Sequence, residues 1–111
     1  MKLKSLAVGV LAVFGIVSHA MAGTAVGKVT KLNVREGLVY FTLSGAAVGR
    51  PGCAVNTQYF MIKDENSSVG RQQIALLLTA MSSDKLITAD GANQCTKWGD
   101  GEDLRQIVIT N

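Results

Sequence analysis

One stretch of this 111-residue chain carries helical periodicity, and that limits the fold more than any other feature. From Val69 to Ser82, the residues Ile74, Leu77, Leu78 and Met81 fall at i, i+3, i+4 and i+7. This spacing predicts a helix of about three turns with that stripe facing the core. Ser67 or Ser68 is placed to cap its start. The other apolar runs read as strands. Val26–Val34 and Leu38–Leu43 are rich in β-branched and aromatic residues, and Arg35-Glu36-Gly37 between them offers a glycine for positive φ, so the two should form a hairpin. Ala46–Gly52 holds the only proline and reads as a loop. A third strand is expected over Ala54–Lys63, a fourth over Lys85–Ala89 and a fifth over Leu104–Thr110, with Asp90-Gly91-Ala92-Asn93 as a turn.

The expected order is strand, strand, strand, helix, strand, strand. One short helix cannot cover both faces of five strands. The pattern therefore favours an all-β fold with one helix, a five-stranded OB-fold-like Greek-key barrel in which closure buries the inner face and removes edges. An open sheet packed on the helix is the α+β alternative.

The N-terminus reads as a targeting segment. Lys2 and Lys4 precede an apolar run, Leu6–Val17, and Ala20-Met21-Ala22 is a small-x-small cleavage signal. The run is short for a bilayer span. Residues 1–22 are therefore expected to be a signal peptide and 23–111 a single domain, secreted or periplasmic, with no membrane span in the mature chain. Cleavage would remove two of the 11 basic residues and none of the 8 acidic ones, leaving a nearly neutral domain without a generally basic surface for nucleic acid. It would also remove His19, the one histidine. Cys53 and Cys95 would remain, and in an oxidising compartment a disulfide is the expected state, since no C-x-x-C and no histidine favour redox or zinc chemistry.

The segment CTKWGDGED, from Cys95 to Asp103, joins the fourth and fifth expected strands and contains the only tryptophan. In an OB barrel this loop and the one between the first two strands commonly rim a binding face. Trp98 reads as apolar cover over the disulfide and the barrel end, with a stacking platform for a sugar or base as the alternative. Asp100, Glu102 and Asp103, with Asp90, are calcium-type ligands, but their spacing is not that of an EF-hand, and they read as solvated turn residues. Asn66-Ser67-Ser68 fits the glycosylation pattern and marks an exposed loop. Without histidine no catalytic constellation is legible, so the chain reads as a binding module with no cofactor rather than an enzyme.

The run GKVTKLNV, the strand VYFTLSG, Cys53, NSSVG entering the helix IALLLTA, then QCTKWGD and a final IVIT together resemble subtilase cytotoxin B-subunit-like proteins. These are small exported bacterial proteins related to toxin binding subunits. The resemblance implies an OB-fold protomer in a homopentameric ring whose helices line a pore. It also implies a cell-surface glycan ligand, often sialylated, and an enzymatic A subunit as partner. Toxin members use a serine near the first strand for the sugar, whereas Thr24–Val29 here presents Val26, so that site does not carry over. Arg35, Tyr59 and Trp98 are the expected sugar contacts instead. A periplasmic envelope or stress protein of the same fold, binding another protein or a small ligand, is the competing function.

Overall fold

The computed structural model describes residues 22–110. The expected signal peptide, with Lys2, Lys4 and His19, lies outside the described residues apart from Ala22. Among the described residues no helix is long and apolar enough to cross a membrane.

The domain is mostly β with one helix. Its strands are β1 (Thr24–Gly27), β2 (Val29–Arg35), β3 (Leu38–Leu43), β4 (Phe60–Met61), β5 (Ile87–Gly91) and β6 (Glu102–Ile109), with α1 (Ser68–Ser82) between β4 and β5. They form one six-stranded mixed sheet in the order β1-β5-β6-β4-β3-β2, in which β4 and β6 run parallel and the other neighbours antiparallel. The β2–β3 hairpin forms as expected, with Arg35 opposite Leu38 and Gly37 at φ 71°.

Three expectations need correction. First, the strand expected over Val26–Val34 is two strands broken at Lys28, so the sheet has six strands rather than five. The break is held by Ser44, whose hydroxyl accepts from the Lys28 amide at 2.9 Å and whose own amide donates to the Lys28 carbonyl at 2.8 Å. Glycine allows this close crossing: a Cβ on Gly45 would lie 1.9 Å from the Val26 carbonyl oxygen. β1 pairs with β5 and β2 with β3, so consecutive segments occupy opposite ends of the sheet. Among the described residues no ladder joins β1 to β2, and the sheet is not hydrogen-bonded into a closed barrel.

Second, the strand expected over Ala54–Lys63 contracts to Phe60–Met61. Gly52–Ala54 is a short 3-10 turn, and the backbone carbonyls of Thr57 and Tyr59 accept from the Arg50 guanidinium. Acceptors used by a side chain do not build a ladder.

Third, the helix presents a different stripe. Ser67 is its cap, accepting from the Gly70 amide at 2.9 Å. Gly70, Leu77 and Ala80 are the buried residues and Ile74 is half-buried, whereas Leu78 and Met81 are 51% and 44% exposed. Small residues seat the helix closely, so its contact line runs through Gly70 and Ala80 and not through the larger Leu78 and Met81. A Cβ on Gly70 would lie 1.8 Å from the Asp64 carbonyl oxygen. Glycine to alanine in a helix ordinarily gains about 1 kcal/mol. Gly70→Ala is expected to reverse that sign and destabilise by roughly 1–3 kcal/mol, as overpacking does. Urea titration would measure this, and a stabilised variant would show that the helix start can shift freely.

The core lies between the sheet and the helix. Phe41 and Phe60, both fully buried, stack at 5.8 Å, and Val39, Ile62, Leu77, Ile87 and Leu104 surround them. Cys53 and Cys95 form a disulfide with Cα atoms 6.3 Å apart. It ties the segment before β4 to the loop between β5 and β6.

Candidate functional site

The β5–β6 loop is shaped by acids that the sequence suggested were solvated. Glu102 and Asp103 are instead fully buried. β6 starts two residues before its apolar part, so both carboxylates enter the interior. Asp103 accepts from the Thr96 amide at 3.2 Å, the Lys97 amide at 3.2 Å and the Thr96 hydroxyl. Its own amide donates to the Gln94 carbonyl at 2.8 Å. Lys97 is fixed from outside by an ion pair with Glu65 at 2.8 Å, which holds the Glu65 carboxyl below its usual range. A bound carboxylate can satisfy several backbone donors at once, so Asp103 acts as an internal template for the loop.

Trp98 follows this anchored segment at the start of a tight turn, where the Gly101 amide donates to the Trp98 carbonyl at 3.3 Å. A Cβ on Gly101 would lie 2.6 Å from Met61 Cγ and 2.8 Å from Tyr59 Cε1, so glycine lets the turn lie flat on those side chains. The Thr57 hydroxyl donates to the Asp100 carbonyl at 2.6 Å, and the Tyr59 hydroxyl donates to the Asp100 carboxylate. Burial, and then the bond to Asp100, push the Tyr59 phenol pKa up, keeping it protonated as a donor.

These contacts create a cavity of about 200 Å³ lined by Arg35, Leu38, Tyr40, Tyr59, Met61 and Trp98. The Arg35 guanidinium stands 5.7 Å from the Trp98 ring centroid, a cation–π distance, and the Tyr40 and Tyr59 rings meet at 5.4 Å with a 52° tilt. All three residues expected to contact sugar, Arg35, Tyr59 and Trp98, are thus brought around one cavity by three separate parts of the chain. Trp98 is 43% exposed, so it is not the buried cover expected of it. Its ring is held in place yet open to solvent, which suits stacking. Tyr40 was missed because, within the run LVYFTL, it reads only as a strand residue; alternation along β3 was the signal that could have found it, since Val39, Phe41 and Leu43 are the buried partners. Val26 is 55% exposed and does not line the cavity.

Behind the cavity, Arg50 fixes the backbone on which Tyr59 sits. Its side chain is 3% exposed; it donates to the Thr57 carbonyl at 2.6 Å and to the Tyr59 carbonyl, pairs with Glu102 at 3.4 Å, and lies 4.7 Å from the Phe60 ring centroid. Burial lowers the Arg50 pKa and the bond to Glu102 opposes that shift. Arg50 and Glu102 were not legible as functional support, since a loop arginine and a turn acid ordinarily belong to the surface.

A second hollow of about 440 Å³, beside the start of α1, is bordered by Lys63, Ser67, Lys97 and Arg105. There Ser67 is committed to the helix cap and Lys97 to Glu65. Among the described residues no group of three or more His, Cys, Asp or Glu side chains is arranged to hold a metal ion.

The site defines a class: an aromatic and cationic recess on a small β domain, with its lining residues held by a buried polar frame. No protein-family model, curated protein or solved structure gives a significant match to the chain.

Proposed function

We propose that the protein is an exported, non-catalytic binding protein that holds a glycan in the Arg35–Tyr59–Trp98 cavity, in the manner of a toxin B subunit. The observation that carries this reading is the convergence of one exposed tryptophan, two tyrosines and an arginine on a single recess. Aromatic faces stack on the C–H face of a sugar, and Arg35 supplies the polar contact that fixes its orientation. The volume is below that of a drug-sized pocket, typically about 300–1,000 Å³, so a single sugar ring or a short terminal group is the fitting ligand.

Strand order supports the OB-like part of the proposal. If β1 and β2 are read as halves of one bent strand, the sheet runs first, second, third, fifth, fourth and back to the first, with the helix after the third, as in a Greek-key OB barrel. The exposed Val69, Leu78 and Met81 of α1 favour packing against copies of itself, in keeping with a homopentamer that could carry an A subunit.

A glycan array probed with the purified exported protein tests the reading, with sedimentation of the same preparation reporting assembly. Selective binding and a five-subunit species are expected. Trp98→Ala should melt within a few degrees of the parent, because a half-exposed ring adds little to folding, yet lose about 2 kcal/mol of affinity, roughly 30-fold. A protein that binds no glycan and sediments as a monomer would favour the periplasmic envelope-protein function. A variant lacking Trp98 that binds as well as its parent would remove this cavity as the site.

A further inference from the structure

Gly23 is buried, while Ala22 before it is exposed. The Gly23 amide nitrogen lies 3.0 Å from Oε2 of Glu102, a side chain with no exposure at all. That oxygen also accepts from the Asn93 amide at 2.9 Å, and Oε1 faces Arg50 Nε at 3.4 Å. The Gly23 carbonyl accepts from the Gly91 amide at 2.8 Å. A larger residue at this position would have to displace side chains: a Cβ on Gly23 would lie 2.4 Å from Glu102 Oε1 and 2.9 Å from Arg50 Cγ. Gly91 is equally constrained, since its Cβ would lie 2.1 Å from Glu102 Oε2.

Three features therefore meet at Gly23, the last two through one carboxylate. The small-x-small signal Ala20-Met21-Ala22 ends one residue before Gly23. A Cβ at the position would crowd the Glu102 carboxylate. The nearest polar atom is a buried carboxylate oxygen.

We propose that removal of residues 1–22 is a structural step, in which the new α-ammonium of Gly23 docks on buried Glu102 as an ion pair. The proposal rests on the reading that residues 1–22 are a cleaved signal peptide. Hydrolysis consumes one water at the Ala22–Gly23 amide, breaks its C–N bond, and leaves a carboxylate on Ala22 and a protonated amine on Gly23. An uncut chain offers Glu102 one neutral N–H at this point. The cut chain offers a full positive charge on the same nitrogen. A charge-assisted hydrogen bond is roughly twice as strong as a neutral one, and it acts here where water does not screen it. Glu102 divides its two oxygens between Arg50 and Gly23, so processing adds a second cation to a carboxylate already held in place.

The test uses the exported full-length precursor and a second precursor with one alanine inserted between Ala22 and Gly23. Intact mass reports the first residue of each product, and Gly23 is expected for the parent. The inserted alanine moves the ammonium one residue outward while leaving Glu102 and every side chain unchanged. The parent is expected to melt about 5 °C or more above the extended protein. Its α-amine should react at least about tenfold more slowly with an N-terminus-selective aldehyde, since a paired amine is a poor nucleophile. Glu102→Gln should close both gaps. If that variant fails to fold, the extended protein still decides, because it keeps the carboxylate. A parent starting at Gly23 whose melting and labelling equal those of the extended protein would overturn the docking alone. A mass placing the first residue elsewhere would overturn the cleavage reading, and the docking with it.

Discussion

Arg50→Ala is expected to destabilise the domain by about 3–5 kcal/mol, the usual cost of removing one partner of a buried ion pair. The variant takes from buried Glu102 its only side-chain partner among the described residues, leaving the Gly23 and Asn93 backbone nitrogens, and it leaves the Thr57 and Tyr59 carbonyls without their donor. It also removes the guanidinium that packs on Phe60. Because the Tyr59 backbone loses its support, ligand binding should weaken along with stability. Arg50→Lys keeps the charge but has no planar fork to reach both carbonyls and Glu102, so it should recover only a minor part of the loss. Denaturant midpoints for the three proteins provide the comparison. A cost under 1 kcal/mol for Arg50→Ala would mean that the loop before β4 holds its shape without this network.

The second large effect belongs to the disulfide. Cys53 and Cys95 are 42 residues apart, and closing a loop of that size stabilises by about 4 kcal/mol in the chain-entropy model. A stability near the middle of the range for small domains, about 5–15 kcal/mol, would lose a large share of itself on reduction. The paired substitution Cys53→Ser with Cys95→Ser should therefore be mostly unfolded at 37 °C or melt far below the parent. Circular dichroism on heating, with intact mass confirming oxidation of the parent, checks this. An unchanged melting curve would show that the β4 approach and the β5–β6 loop are held together by hydrogen bonds alone.

Much of the architecture was legible because it depends on local chemistry. The β2–β3 hairpin needed a glycine at positive φ and had Gly37; the helix needed a cap before an apolar period and had Ser67. What was not legible depends on partners distant in sequence. Gly27 is the one local sign of the break at Lys28, and only the tertiary structure shows that Ser44 is what crosses there. The contraction of β4 follows from where the Arg50 guanidinium lies, and periodicity carries no record of that. The helix stripe was misplaced because burial was assigned by size, whereas Gly70 and Ala80 are buried by how closely the helix sits. In the candidate site the exposed chemistry was readable, since Arg35, Tyr59 and Trp98 stand out by type and position. Its supports were not. Buried Glu102 and Asp103 share their composition with solvated turns, and only the tertiary structure distinguishes the two.

The break at Lys28 has a consequence for the order in which the protein is made. During synthesis the N-terminal residues of the domain emerge first, yet Thr24 pairs with Asp90 and Gly27 with Ile87. Such pairings pay loop-closure entropy before any contact rewards it, and they slow folding. β2 and β3 can join as soon as both have emerged, whereas β1, apart from the bridge between Thr24 and Val48, has to wait for β5 until most of the chain has been made. The first strand to arrive is therefore secured late, and through that interval its open edge is available to other chains.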